Sequence, residues 1–591
     1  VAKTLVIMFS TSRTKLKPNF CSQLVRKLCE ESSQLHLKSK YDVVIIGGGH
    51  NGLVAAAYLA KAGAKVCVLE RRYLLGGAAV TEEIIPGFKF SRASYVLSLL
   101  RPQIYSDLNL KEHGLKVYLR DPYSYTPLRE DFWKSPHAKS LILSRNHLKN
   151  QEEIAKFSKK DAQVFQEYEE LLSRLVDAVE PLLDISPHSL MKTLDQPSAW
   201  GKALSAWNTS SNLTELVKIV FKMGKDIRPL YELMTASPKK VLSRWFESEP
   251  LRATLATDAL IGTMASTDTP GVGYVLLHHV MGGVEGVKGA WAYPEGGMGS
   301  VSNAIAASAR SFGAELYTDQ MVTMIKTDSS GAAVGVVTSG GTEVDAKLVL
   351  SNATPAATFS LLPVGTLSDE TTSALQAIHY ESPVTKINVA LSRIPQFLAN
   401  PNARGDEVMP HHHATIHLNC ENCDVVDDAY RDARRGVLPT RPMIEMVLPS
   451  SLDPTLAPPG AHVCLLFTQF TPYQLAGGRV WDTMVREEYA QMVFDCIEEY
   501  APGFKSSIVG KEVLAPPDLE QIFGLTDGNI FHGSMTMDQI FLSRPVASGS
   551  ASPLTPVDRL LLCGSGAHPG GGVTGAPGRL AALEAINMLK L

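Results

Sequence analysis

Apolar positions along the chain fall into recurring patterns, and each predicts a different element. Val43–Ile46 is an unbroken apolar run leading into three glycines, as a strand buried on both faces of a parallel sheet would be. Leu53–Ala62 is rich in Ala and Leu and stops at Gly63, which predicts a helix with a glycine past its end. Lys65–Glu70 is a second apolar strand. From Asn150 to Leu183 the period changes: Phe157, Val164, Tyr168, Leu171, Leu175 and Val179 form one stripe with charges elsewhere, an amphipathic helix. Helical patterning continues to Met281, with breaks expected at Pro229, Pro238 and Pro250. After Pro294 a helix is predicted over Ser300–Ser311, then strands at Val322–Ile325, Val334–Val337 and Lys347–Ser351. Residues 366–545 are mixed, with strands such as Val463–Phe467 among many prolines, and 559–591 again reads strand, glycine turn, helix. The fold class these patterns predict is α/β.

Composition narrows the function. At 591 residues the chain exceeds one ordinary domain, and its 45% apolar and 20% charged content is that of a globular protein able to enclose a ligand. A net charge of -4 carries no footprint for nucleic acid, so no such partner is expected. No run of eighteen apolar residues occurs, so no spanning helix is expected, whereas peripheral contact with the inner membrane of a mitochondrion stays open. The eight cysteines are sparse and sit in apolar surroundings such as Val66-Cys67-Val68, the usage of buried free thiols in a reducing compartment. The first forty residues differ: Lys3, Arg13, Lys15, Lys17, Arg26 and Lys27 are basic, and no acidic residue precedes Glu30. Phe20, Leu24 and Leu28 recur every fourth residue beside them. That is the pattern of a mitochondrial transit segment bound for the matrix, the alternative being a leader with no address.

Gly47-Gly48-Gly49-His50-Asn51-Gly52 is a GxGxxG that follows a strand and opens a helix. Gly47 permits the tight turn, Gly49 lets the backbone approach a pyrophosphate, and Gly52 allows close helix packing, with the helix dipole aimed at the phosphates. Glu70 ends the next strand, where a carboxylate accepts hydrogen bonds from adenosine ribose hydroxyls. A bare GxGxxG is weak evidence, but here both strands, the helix and the acid are in place.

This fingerprint serves NAD and FAD alike, and Glu70-Arg71-Arg72-Tyr73-Leu74-Leu75-Gly76-Gly77 discriminates between them. The stretch resembles the amine oxidase and phytoene desaturase superfamily of FAD enzymes. The resemblance implies that Arg72 and the pair Gly76 and Gly77 hold the ribose and diphosphate. Members commonly carry an arginine straight after the pair; this chain has Ala78 there. Tyr293-Pro294-Glu295-Gly296-Gly297-Met298-Gly299 is similar to a turn of carotenoid desaturases, after which backbone near Val322 would meet the adenine. The stretch 559–578 matches the C-terminal FAD motif, which implies contacts to FAD from Gly564, Ser565, Gly566, Gly572, Val573 and Thr574. A helix N-terminus there would stabilise negative charge developing on the flavin.

The resemblance, running from about Tyr41 to the C-terminus, implies a Rossmann-like FAD domain built from three chain segments, with a mixed α+β substrate domain and a helical subdomain inserted. The expected division is a transit segment at 1–39, FAD segments at 40–145, 291–365 and 546–591, the helical subdomain at 146–290 and the substrate domain at 366–545. It implies a mitochondrial oxidoreductase and leaves the substrate undetermined; the first functional expectation is an FAD enzyme that moves hydride from a small apolar substrate to flavin. Amine oxidation, and a flavin-binding regulator acting on a mitochondrial protein partner, are the alternatives.

Other chemistry is set aside. Cys420 and Cys423 have redox or metal spacing, and His411, His412, His413 and His417 precede them. With one pair in an expected surface loop, ordinary thiols and solvated histidines are the reading, and no metal is expected. His568, inside the C-terminal motif, and His532, in Gly528-Asn529-Ile530-Phe531-His532-Gly533, are the catalytic candidates. For each the alternative is a hydrogen-bonded structural histidine.

Overall fold

The apolar run at the start of the nucleotide fingerprint is the centre of a seven-stranded sheet. The computed structural model describes residues 36–187, 223–546 and 552–591; the expected transit segment lies outside these apart from 36–39. Strand Lys40–Ile46 lies between Val66–Leu69 and Glu343–Ser351, parallel to both, with Val44 opposite Cys67 and Val349. Glu315–Tyr317 extends the sheet beyond Val66–Leu69. On the other side, Glu343–Ser351 is shared along its length. Its first residues pair antiparallel with Ala333–Thr338, which in turn pairs with Val322–Thr327. Its last three run parallel to Leu560–Leu562. One sheet thus takes strands from 40–69, from 315–351 and from 560–562, the three-segment α/β assembly expected.

Helix His50–Lys61 packs on both Gly299–Ser311 and Ala576–Leu589, so that one helix from each segment lies against this sheet. Leu53, Leu59, Val301, Ile305 and Ala581 share a buried core with Val43, Leu350 and Leu561. Each fully buried aliphatic side chain contributes about 1.5–3 kcal/mol. This shared core therefore holds three distant stretches of chain in one domain.

The second seven-stranded sheet has the order Ile508–Leu514, Thr385–Leu391, His462–Gln469, Met443–Val447, Thr415–Leu418, Ser124–Pro127, Ser140–Leu143. Neighbours are antiparallel except Thr415–Leu418 and Ser124–Pro127, which run parallel. The first FAD segment therefore does not extend to 145, because Ser124–Pro127 and Ser140–Leu143 belong to this second sheet. Four-residue strands carry no local cue to their partner, which long-range pairing alone decides.

The helical layer also departs from expectation in detail. The single helix expected from Asn150 divides into His147–Ala155 and Lys159–Val179, because the Ser158 side chain caps the second by accepting from Asp161 N–H at 3.1 Å. Pro229 is the third residue of Ile227–Thr235, directly after the 3-10 turn Gly224–Asp226, so the helical run changes character beside it as expected. The other two prolines expected to break helices instead open them, Pro238 and Pro250 standing in the first turns of Pro238–Trp245 and Glu249–Thr257. A missing N–H costs nothing there, since first-turn N–H groups have no partner within the helix. Among the described residues no helix is long and apolar enough to cross a membrane.

Candidate functional site

At the nucleotide end the sequence builds a cradle from backbone. Gly47 has φ +89, a conformation that a side chain would strain, and a Cβ on Gly52 would lie 2.4 Å from the Gly47 carbonyl. Glu70 is buried, and its carboxylate accepts from the N–H groups of Gly48 at 2.7 Å and Arg72 at 2.8 Å. A carboxylate has about four acceptor sites, so capacity remains on the side facing the cavity. Arg72 donates from Nη2 to Glu82 at 2.7 Å and lies over the Phe523 ring at 5.0 Å, while its Nη1 is buried with no protein partner.

One cavity of about 830 Å³ runs from this cradle to the second sheet and the helical layer. Of the residues expected to hold FAD, Gly47, Gly49, Glu70, Arg72, Gly77, Val322, Ser565, Gly572 and Val573 line it. Gly52, Gly76, Gly564, Gly566 and Thr574 do not, and instead build the wall behind it. Added Cβ atoms on Gly76, Gly564 and Gly566 would meet Ala79 O at 2.6 Å, Asn352 O at 2.6 Å and Pro355 Cδ at 2.3 Å. Thr574 Oγ1 accepts from Ala576 N–H at 3.2 Å, and its carbonyl from Arg101 N–H at 3.0 Å, which fixes the start of the last helix.

The residues present fit FAD. His50 Nε2, Asn51 Oδ1, Arg72 Nη1 and His532 Nδ1 are buried without protein partners, and all four residues line the cavity. Buried polar groups are nearly always paired, so this set matches an elongated ligand rich in phosphate and hydroxyl groups.

The two candidate histidines part company. His568 does not line the cavity: its Nε2 pairs with the Leu182 carbonyl at 2.9 Å and its ring lies beside Phe541. It is a structural histidine, turned out of the glycine-rich loop toward the helical layer. His532 does line the cavity, at φ +59, and burial pushes its pKa down to about 3, so the ring is neutral.

At the far end stand residues that the sequence reading missed. Lys386 is 2% exposed; it donates to Asn388 Oδ1 at 2.6 Å and lies 5.5 Å from the Tyr95 ring centre. Burial lowers its pKa to about 7. Glu445 accepts from the Tyr95 hydroxyl at 2.9 Å, with His417 Nδ1 4.0 Å away. Burial raises Glu445 to about 7, against the opposing pull of Tyr95 and Arg120. Burial, with the charge of Glu445, raises Asp258 to about 7 as well. His278 and His279 are pushed by burial to about 3 and about 4, and neither ring nitrogen of His278 has a protein partner. A signal was present for two of these. Lys386 and Glu445 each interrupt an apolar strand, Val384-Thr385-Lys386-Ile387 and Met443-Ile444-Glu445-Met446.

The cysteine pair is not in a surface loop, and the histidines before it are not solvated. Cys420 and Cys423 are each 1% exposed and unpaired, and His411, His412 and His417 are buried. Asn422 caps the helix Cys423–Arg434, accepting from Val425 N–H at 2.9 Å, and this draws the motif into the core. His412 bridges Met409 N–H and the Pro395 carbonyl, each at 2.9 Å. Among the described residues no three His, Cys, Asp or Glu side chains converge as a metal site would require.

Residues 52–578 match the family of flavin containing amine oxidoreductases. The chain is 55% identical to pyridine nucleotide-disulfide oxidoreductase domain-containing protein 2 of Rattus norvegicus, over 94% of each chain. It is 28% identical to a limonene dehydrogenase subunit of Castellaniella defragrans, over 90% of this chain and 92% of that one. Among solved structures, an oxidoreductase from Methanosarcina mazei superposes with a TM-score of 0.53 at 18% identity, covering 93% of this chain and all of its own.

Proposed function

The chain belongs to the flavin containing amine oxidoreductases, FAD-dependent enzymes, and on that premise we propose that it oxidises an apolar organic substrate in mitochondria by hydride transfer to flavin. The observation that carries this reading is the continuity of the cavity. The space that begins at the nucleotide cradle opens, past Gly572 and Val573, into a chamber walled by Leu255, Ile261, Leu276, Phe467, Leu519 and Phe531. Bound FAD would supply the electron-accepting ring. The chain's own part is to exclude water, to hold a C–H bond in line, and to present the N-terminus of Ala576–Leu589 where negative charge develops. The proton that leaves the substrate beside the hydride would go to neutral Lys386, whose pKa is lowered to about 7 in the cavity wall, and not to His278 or His532, whose protonated forms burial disfavours. The name of the Castellaniella limonene dehydrogenase pairs a hydrocarbon with dehydrogenation, which supports an apolar substrate here. The basic, acid-poor residues 1–40 support the mitochondrial address.

Amine oxidation is the second reading, and it is favoured by the carboxyl groups of Glu169, Asp258 and Glu445 along the cavity. Anaerobic bleaching of the flavin in purified holoprotein distinguishes the two. Bleaching by lipophilic hydrocarbons and alcohols is the expected result, and bleaching by amines alone would replace the first reading with the second. A reporter fused to residues 1–40 should enter mitochondria; one left in the cytosol would refute the address.

A further inference from the structure

Arg120 is a guanidinium buried in the cavity wall that no carboxylate among the described residues pairs with. It follows strand Val117–Leu119, donates its backbone N–H to the Trp291 carbonyl at 3.1 Å, and is 3% exposed. Its Nη1 donates to Thr415 Oγ1 at 2.8 Å and to the Tyr293 hydroxyl at 3.4 Å, and the guanidinium lies over the Tyr293 ring at 5.1 Å. Its Nε is buried with no partner, and no carboxylate of the described residues pairs with it.

The other two buried arginines of the described residues are satisfied in ways that Arg120 is not. Arg101 pairs with Glu180 and Asp184, each at 2.7 Å. Arg544 donates to the backbone carbonyls of Phe531, Gly533, Ser534, Gln539 and Ser565. Glu445 stands near Arg120 but accepts from Tyr95, and its burial favours the protonated acid up to about neutral pH. A guanidinium held out of water without a counter-charge is costly, and its planar fork of donors fits a carboxylate edge-on.

We propose that the substrate is an amphipathic organic acid whose carboxylate is received by Arg120 while its apolar body fills the chamber. This rests on the apolar-substrate reading and adds a polar end to it. The carboxylate would restore a partner to the guanidinium and fix how far the apolar chain reaches toward the flavin-binding end.

Titration calorimetry of the FAD-loaded protein, with octanoate and decanoate set against their methyl esters and against octylamine, tests the proposal. The acids should bind at least about tenfold more tightly than the esters. Arg120→Gln should abolish that preference with ester binding unchanged, and Arg120→Lys should keep part of it. Equal binding of acid and ester in the unmodified protein overturns the proposal, as does a preference that survives Arg120→Gln. Tighter binding of octylamine than of either acid also overturns it and moves the site to the amine reading. If Arg120→Gln fails to hold FAD, the acid-to-ester ratio of the unmodified protein and of Arg120→Lys decides. Because calorimetry needs no turnover, failed hydride transfer would leave this result standing. An absent acid preference would equally leave oxidation of a neutral substrate standing.

Discussion

The two ends of the cavity are made by different means. The nucleotide end is mostly backbone: a glycine turn, a helix start, and one acid whose oxygens are held by N–H groups two and twenty-two residues away. The far end is made of side chains. Tyr95, Arg120, Asp258, Lys386 and Glu445 come from five separated stretches and meet only because the second sheet and the helical layer close over them. A cradle of backbone tolerates little variation, because its ligand is held by groups common to every residue and by the space that glycine leaves. A chamber of side chains can be altered one residue at a time, and substrate choice then varies on a constant cofactor site.

The sharpest way to break the nucleotide end is Glu70→Ala. It removes the acceptor for two backbone donors, Gly48 N–H and Arg72 N–H, together with the capacity facing the ligand. Hydrogen bonds to a charged group are worth about 1.5–3 kcal/mol each. FAD affinity should fall by roughly a hundredfold or more, read by flavin fluorescence at equilibrium. Unchanged affinity would show that the cradle does not hold the nucleotide through this acid.

The far end is sharpened by Glu445→Gln. The folded protein raises the pKa of Glu445 from 4.5 to about 7, chiefly by burial. The folded state therefore binds a proton that the unfolded state releases between pH 4.5 and 7, and stability falls as pH rises through that window. At one pKa unit per about 1.4 kcal/mol, the loss is on the order of 3 kcal/mol above neutrality. Glutamine cannot ionise and still accepts from Tyr95, so the variant should melt with a smaller gap between pH 5 and pH 8. The gap will not vanish, because Asp258 is raised to about 7 in the same way. Lys386 acts in a higher window: its pKa is lowered from 10.5 to about 7, so stability rises with pH between those values. An unchanged gap in Glu445→Gln melts would mean that Glu445 is ionised in its pocket.

What the sequence revealed follows the same division. The strand, turn, helix and acid of 41–70 lie within thirty residues, so spacing alone exposes them, and the C-terminal glycines are equally local. The substrate sheet was only partly legible. Val463–Phe467, inside the strand His462–Gln469, announced itself, but Ser124–Pro127 and Ser140–Leu143 were assigned to the wrong domain, since nothing in four residues names a distant partner. Arg120 and Asp258 look like ordinary surface charges in the sequence, and tertiary closure alone makes them buried. Cys420 and Cys423 erred in the opposite sense: a polar-looking stretch read as a loop is a helix cap drawn into the core.

The smallest effect expected is also the one that separates a histidine of the wall from a histidine of the chamber. His568 pairs with the Leu182 carbonyl at 2.9 Å and faces away from the cavity, whereas His532 lines it with Nδ1 unpartnered. His568→Ala removes one neutral hydrogen bond and some packing beside Phe541, so stability should drop by about 1 kcal/mol. Flavin reduction should slow by no more than about tenfold, through loosened placement of the last loop, equivalent to about 1.4 kcal/mol. No ionisation should disappear from the pH profile, because burial holds His568 neutral down to a pKa of about 4. His532→Ala, by contrast, should change substrate binding or reduction more than stability. Stopped-flow reduction of both variants across pH, on a substrate found by bleaching, makes the comparison. Loss of reduction in His568→Ala together with a vanished pKa near neutrality would make His568 an acid–base catalyst, and the contrast between wall and chamber would fail at that residue.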